Sequence, residues 1–299
     1  MIASLVGEVS VQAKALVGLI GSGIGPSLSP ALHEAEACHQ GLRLHYQIID
    51  LDRTGAGVEA LPGLLQSALT MGYVGLNITY PCKQAVMPLL DAVSDEARAM
   101  GAVNTVVIKD GRLTGHNTDG SGWAWAFQRG LPDADLSCVV LLGTGGAGSA
   151  IAHAALRLGV KQLRLFDREA ARAVQLADEL CALYGAGRVQ ACADIAAAMR
   201  GATGLIHATP TGMSKLPGLP LPAELLRAPL WVSEVVYFPL QTALLQTARE
   251  RGCAVIDGGG MAVGQAVGAF ELFTGLRADA QRMVAHFARL LEARQGATP

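Results

Sequence analysis

Short apolar runs alternate along the chain with stretches whose apolar positions recur every three or four residues. That alternation predicts strands joined by crossover helices in parallel-rich sheets. The first unit is the clearest: 16–20 reads as a buried strand, 21–29 as a loop and 30–39 as a helix, with Ser29 as its N-cap and Pro30 at its first position. Strands follow at 44–51, 73–78 and 103–109, and Gly111 turns the last of these into 113–116. Helices at 61–71 and 83–90 lie between them. A second unit opens after a connecting helix at 120–129 and a Pro/Asp-rich loop at 131–135. It reads as strand 137–142, a Gly-rich turn at 143–148, helix 149–158 and strand 162–166, with later strands at 204–208 and 230–236. Two helical patterns, 264–273 and 278–291, close the chain and are expected to pack back across the N-terminal part.

Composition narrows the function classes. At 299 residues the chain is long enough for two cores. With 51% hydrophobic and 16% charged residues, disorder is excluded. A net charge of −2 without a dense Lys/Arg run leaves no electrostatic footprint for nucleic acid or anionic lipid, so the expected partner is a small molecule. Apolar runs such as 139–142 are too short to span a bilayer, and the N-terminus lacks the pattern of a secretory leader; a cytoplasmic protein is expected. Six cysteines without a C-x-x-C pair read as free thiols. No H-x-x-x-H or H-E-x-x-H occurs, and no metal is assigned.

Gly143-Thr-Gly145-Gly146-Ala147-Gly148 matches G-x-G-x-x-G. Glycine is common here, so context decides: an apolar strand precedes the turn, an Ala-rich helix follows, and Asp167 stands where the ribose-binding acid of a dinucleotide fold is expected. The helix N-terminus offers free N–H groups to a pyrophosphate. A carboxylate at Asp167 would accept from both ribose hydroxyls and repel a 2′-phosphate, which favours NAD over NADP. Arg168 pulls the other way, since a guanidinium stacks on adenine or attracts phosphate; it reads equally as a solvated surface residue.

Hydride transfer between alcohol and ketone needs a group within hydrogen-bond reach to take and return the hydroxyl proton. Lys83, after Asn77-Ile-Thr79-Tyr-Pro-Cys82, and Asp119, after Gly115-His-Asn-Thr118, are the candidates. Alone, Lys83 reads as a surface lysine and Asp119 as a helix N-cap. Two opposite charges at strand ends facing one domain junction are more telling. Ser27 and Ser29 flank Leu28 before the Pro30 helix and offer hydroxyls to a carboxylate; Ser29 is expected to cap the helix and Ser27 to be free for ligand. Tyr237 and Gln265 suit a polyhydroxylated ring, or ordinary packing.

These residues resemble the shikimate/quinate dehydrogenase family over nearly the whole chain. The segments that carry the resemblance are Gly18-Leu-Ile-Gly21, Ser27-Leu-Ser-Pro30-Ala-Leu-His-Glu34, Gly75-Leu-Asn-Ile-Thr-Tyr-Pro-Cys-Lys83, Gly101-Ala-Val-Asn-Thr105, His116-Asn-Thr-Asp119, the 143–148 turn, Ala208-Thr-Pro-Thr-Gly-Met213 and Met261-Ala-Val-Gly-Gln265. The resemblance implies an α/β fold with an N-terminal substrate domain of mostly parallel sheet (1–117, completed by C-terminal helices at 260–299) and a Rossmann-type doubly wound cofactor domain (118–259). It implies a Lys83–Asp119 catalytic pair. It also implies substrate contacts from Ser27, Ser29, Asn77, Thr79, Asn104, Tyr237 and Gln265, and cofactor contacts from the turn, Asp167, Arg168, Thr209, Pro210, Met213, Val235, Gly258 and Met261.

The chain departs from the biosynthetic members of that family at several positions. Pro26 replaces the usual His, His207 the usual Asn before Ala-Thr, and Asp167-Arg168 the Asn-Arg-Thr type of NADP-binding turn. Those changes resemble the NAD-using quinate/shikimate branch, whereas Ser29, a Thr in typical quinate users, favours the smaller shikimate ring. Shikimate with NAD is the expected pairing, with NADP, quinate and aminoshikimate open, in a monomer or homodimer. Two rivals stand beside it: a regulator that binds the cofactor without turnover and needs neither Lys83 nor Asp119, and a methylenetetrahydrofolate dehydrogenase, which gives the paired serines no role.

Overall fold

Two six-stranded sheets organise the chain, which a computed structural model describes over residues 13–296. Residues 1–12, where no leader was expected, and 297–299, the end of the expected closing helices, lie outside the described residues.

The second half of β1 (Lys14–Gly21) is buried without interruption, as befits an interior strand covered on both faces. It pairs in parallel with β2 (Arg43–Asp50) and β3 (Gly75–Ile78). The crossover α1 (Ser29–His39) joins β1 to β2, and α2 (Leu51–Thr54) and α3 (Leu61–Met71) lead to β3. After α4 (Cys82–Ala85), β4 (Ala92–Val93) and α5 (Asp95–Met100), a hairpin of β5 (Thr105–Lys109) and β6 (Arg112–His116) adds antiparallel strands. Asp110 and Gly111, at φ 51° and 74°, make the two-residue turn whose twist suits a hairpin. Three of the five pairings in this sheet, ordered β2-β1-β3-β5-β6-β4, are parallel.

The second sheet follows α6 (Asp119–Gly130) and comprises β7 (Cys138–Leu142), β8 (Gln162–Phe166), β9 (Val189–Ala191), β10 (Gly204–His207), β11 (Trp231–Glu234) and β12 (Ala254–Ile256). Its crossovers include α7 (Gly146–Arg157), α8 (Ala170–Tyr184), α9 (Ile195–Met199) and α10 (Ala243–Glu250). Every pairing is parallel and the order is β12-β11-β10-β7-β8-β9. This is the doubly wound arrangement, with its switch point between β7 and β10; ligands bind such sheets in the crevice outside those strand ends.

Helices α11 (Gly259–Thr274) and α12 (Ala280–Gly296) close the chain. Met261 of α11 packs in the core beneath the second sheet with Trp123 and Phe127, Val263 and Ala266 pack with Leu32 of α1 and Met283 and Phe287 of α12, and Ala269 and Phe273 pack on the first sheet with Val17 and Tyr46.

Several expectations are corrected. Ser29 does not cap α1: Leu28 holds that position, and it is Ser27 whose Oγ accepts the Ser29 N–H at 3.2 Å. The run expected as one helix at 83–90 is a single turn, α4, followed by a 3-10 turn at Met87–Leu89, because Pro88 cannot extend the helix. The helices expected from Ser149 and Gly264 begin at Gly146 and Gly259, since glycines occupy their first turns. Elements α2, β4, α5, α8, β9, α9, α10 and β12 were not anticipated.

The crossing of α6 and α11 leaves no room for side chains. A Cβ on Gly122 would lie 2.4 Å from the Gln265 backbone nitrogen, and one on Gly264 2.7 Å from the Gly122 carbonyl oxygen. Gly122→Ala is expected to destabilise the protein by ~1–3 kcal/mol, read as a lower denaturant midpoint; an unchanged midpoint would show that the helices part without penalty.

Candidate functional site

Lys83 and Asp119 meet. The chain leaving β3 turns at once, the Cys82 N–H donating to the Thr79 carbonyl at 2.7 Å, and this sets Lys83 in α4 at the strand's carboxyl end. Asp119 opens α6, its N–H held by Asn117 Oδ1 at 2.9 Å. Lys83 Nζ donates to Asp119 Oδ2 at 2.5 Å. The two side chains are 18% and 7% exposed, so Lys83 is no ordinary surface lysine. Asp119 is not a cap either: Thr118 holds the N-cap position of α6 and no side chain caps it.

A buried polar lattice fixes the carboxylate. Asn104 Nδ2 donates to Asp119 Oδ1 at 2.9 Å and to Thr118 Oγ at 3.0 Å, while its Oδ1 accepts from the Thr118 N–H and the Thr105 hydroxyl. Asn77 Nδ2 donates to the Asn104 carbonyl and to Thr105 Oγ. Both amide protons of each asparagine are thus committed within the protein, leaving these side chains to hold Asp119 rather than to donate outward.

From Asn77 the lattice runs to the serines. The Tyr46 hydroxyl donates to Asn77 Oδ1 at 2.8 Å and also faces Ser29, and the Ser27 hydroxyl donates to Ser29 Oγ at 3.1 Å. Tyr237 faces Ser27; 36% of its surface is open, yet its hydroxyl is desolvated, and this raises its pKa against the opposing pull of Arg294 and Ser27. Burial raises the Tyr46 hydroxyl as well. Thr79 packs against Gly21, where a Cβ would lie 2.3 Å from its methyl. The Gln265 backbone rests on Gly122, one helical turn beyond Asp119, and its Nε2 donates to the Ala262 carbonyl.

The Gly-rich turn lies beside the lysine. A Cβ on Gly146 would come within 3.5 Å of Lys83 Cδ. Gly148 is forced to lack a side chain, since a Cβ would lie 2.0 Å from the Gly143 carbonyl oxygen, whereas nothing lies within 4 Å of one on Gly145. That open cradle, at the N-terminus of α7, fits a pyrophosphate. Asp167 Oδ2 accepts from the Thr144 N–H at 2.8 Å and hydroxyl at 2.9 Å, and Oδ1 from the Glu169 N–H at 3.0 Å. Burial pushes this carboxyl up, but those hydrogen bonds, with Arg172 nearby, outweigh it and hold the pKa below the usual carboxylate range. Arg168 is exposed, as are Pro210 and Met213 on the loop after β10. Thr209 sits against Gly143, and Gly258 against the Val235 and Val236 carbonyls. Met261 is 7% exposed and lies within the core.

Residues 19–106 match the family model described as shikimate dehydrogenase substrate binding domain, and 258–286 that of the shikimate 5′-dehydrogenase C-terminal domain. A shikimate dehydrogenase (NADP(+)) of Streptomyces avermitilis is 58% identical, covering 92% of this chain and 95% of its own. The chain belongs to the shikimate dehydrogenase family. A quinate/shikimate dehydrogenase (NAD(+)) of Corynebacterium efficiens is 46% identical over 92% of this chain and 98% of its own. The structure of a quinate dehydrogenase from Corynebacterium glutamicum in complex with NAD superposes with a TM-score of 0.86 at 44% identity, over 93% of this chain and all of the other. These shikimate dehydrogenase relatives thus carry either nicotinamide coenzyme in their names.

Among the described residues no helix is long and apolar enough to cross a membrane, and no group of three His, Cys, Asp or Glu side chains is placed to hold a metal.

The residue-by-residue reading missed Tyr46, Asn117, Thr118 and Thr144. Tyr46 shares the inward face of β2 with Leu44 and Ile48 and reads there as one more core position. His33 was missed too: it is fully buried against Tyr46, Phe270 and Phe273, with neither ring nitrogen hydrogen-bonded. Burial lowers its pKa from 6.5 to about 3. The unfolded chain therefore binds a proton that the folded chain refuses, so stability is lost as pH falls below about 6.5, by about 2 kcal/mol at pH 5. Thermal melts at stepped pH are expected to show a shallower acid decline for His33→Leu than for the wild type; parallel declines would assign the acid sensitivity elsewhere.

Proposed function

We propose that this chain interconverts shikimate and 3-dehydroshikimate with a nicotinamide coenzyme, NAD ahead of NADP. The observation that carries the reading is the Lys83–Asp119 contact beside Gly146, which sets a proton donor and its carboxylate partner against the coenzyme cradle. Family membership and the named NAD- and NADP-linked relatives support it. They speak equally against a non-catalytic regulator.

The coenzyme, when bound, supplies or accepts the hydride. Gly143, Gly145, Gly146, Ala147 and Gly148 would hold its pyrophosphate and Asp167 its adenosine ribose, with Arg168 at the rim; Thr209, Pro210, Met213, Val235, Gly258 and Met261 would line its other half. Ser27, Ser29 and Tyr237 take the substrate carboxylate, and Thr79 and Gln265 its ring hydroxyls. Asn77 and Asn104 act through the lattice that orients Asp119. The reacting oxygen lies between Lys83 and Asp119. In ketone reduction the Lys83 ammonium gives its proton to that oxygen; in alcohol oxidation Nζ takes it back, while Asp119 keeps Nζ and the hydroxyl in line.

The described residues of 1–117, with those of the helices at 260–299, are assigned to the substrate domain and 118–259 to the cofactor domain, in a cytoplasmic monomer or homodimer. NAD is favoured because Asp167, held ionised by three hydrogen bonds, repels a 2′-phosphate.

Reduced-nicotinamide absorbance for shikimate and quinate, each with NAD and NADP, is expected to be highest for shikimate with NAD. Silence from all four mixtures with coenzyme binding intact would overturn the reading. Lys83→Ala is expected to lower kcat by about 10²–10⁴-fold with KM for shikimate little changed; near-normal turnover would remove Lys83 from the mechanism. Asp167→Asn is expected to narrow the NAD-to-NADP ratio of kcat/KM, and an unchanged ratio would mean that another residue reads the ribose.

A further inference from the structure

At the crevice end of the second sheet lies a buried histidine–carboxyl pair that the chemistry above does not use. His207 and Glu234 are the last residues of β10 and β11, directly opposite each other in the register. Both side chains are wholly enclosed. His207 Nδ1 lies 2.8 Å from Glu234 Oε1, which also accepts from the Val235 N–H at 2.8 Å and the Val236 N–H at 3.0 Å. Oε2 accepts from the Thr242 hydroxyl at 2.9 Å. Every other partner of this carboxylate is a donor, so His207 Nδ1 carries a proton towards it. A carboxylate buried with fewer partners would be costly; here the strand end is wrapped around it.

The far side of the imidazole meets Thr209. His207 Nε2 lies 2.5 Å from Thr209 Oγ, and Thr209 Oγ also accepts from the Thr211 N–H at 3.3 Å. In the neutral imidazole, Nδ1 donating to Glu234 leaves Nε2 to accept from the Thr209 hydroxyl. That hydroxyl is left with one acceptor site. Thr209 rests on Gly143, the first glycine of the coenzyme turn, and the Val235 and Val236 carbonyls rest on Gly258. In a doubly wound sheet each half takes one mononucleotide. Asp167, after β8, serves the adenosine half, and the ends of β10 and β11 serve the nicotinamide half.

We propose that the His207–Glu234 pair is the positioning device of the nicotinamide half of the cleft. It fixes the Thr209 hydroxyl as a hydrogen-bond acceptor and pins the Val235–Tyr237 turn, and so sets where the nicotinamide ring lies against the substrate. The inference rests on the coenzyme reading above. Neither residue touches reacting atoms.

Calorimetric titration with NADH and with ADP-ribose, which lacks the nicotinamide half, separates positioning from simple support. For Glu234→Gln, the Kd for ADP-ribose is expected to stay within twofold of wild type, while the Kd for NADH rises at least fivefold and kcat falls at least tenfold. Equal weakening of both ligands, or no change in either, would overturn the inference. Should Glu234→Gln fail to fold, Thr209→Val removes the hydroxyl and leaves the pair intact. It is expected to weaken NADH alone, with Thr209→Ser restoring binding; normal NADH binding by Thr209→Val would overturn the inference. A wild-type chain that bound neither ligand would overturn the coenzyme reading itself, and this inference with it.

Discussion

An ammonium and a carboxylate drawn 2.5 Å apart, from the end of a strand in the first sheet and the start of the helix that leads to the second, are what the rest of the structure is arranged around. Desolvating two charges is costly unless each keeps further partners. Asp119 keeps them: Asn104 takes one carboxylate oxygen, Asn117 its backbone N–H, and Thr105 and Thr118 complete Asn104. The lattice continues through Asn77 and Tyr46 to the paired serines. Polar residues otherwise out of place in a core become intelligible as the support of one carboxylate.

The two sheets divide the work. The first brings hydroxyls and the lysine to its strand ends; the second brings a glycine turn that approaches Lys83 closely because it has no side chains to interpose. Glycine serves three separate needs here. Gly148 avoids a collision with the backbone of Gly143, Gly145 leaves room for a ligand, and Gly122 with Gly264 lets two helices touch along their backbones.

Features of the fold with a local cause were legible in the sequence. The apolar strands, the Gly-rich turn with Asp167 beyond it and the Asp110-Gly111 hairpin follow from neighbouring residues alone. Other features depend on what arrives from afar. Ser29 looked like a cap because Pro30 follows it, yet the chain enters α1 one residue earlier and Ser27 takes the free N–H. The starts of α5, α9 and α10 carry ordinary cap residues, Ser94, Asp194 and Thr242, but these helices run only 6, 5 and 8 residues, too few turns for periodicity to mark them. Tyr46 and Glu234 read as strand positions; only the neighbouring strands and helices reveal that each is the hub of a hydrogen-bond network.

One helix belongs to three apolar clusters. Phe273 and Ala269 fill the face of the first sheet, and a Cβ on Gly75 would strike the Phe273 ring. Met283 and Phe287 cover Leu32 of α1. The first sheet is therefore finished by a helix that lies beyond the whole second sheet in the chain. As the polypeptide emerges from the ribosome, all six strands of the second sheet appear before Phe273 does, whereas the first sheet waits with an uncovered apolar face until α11 follows.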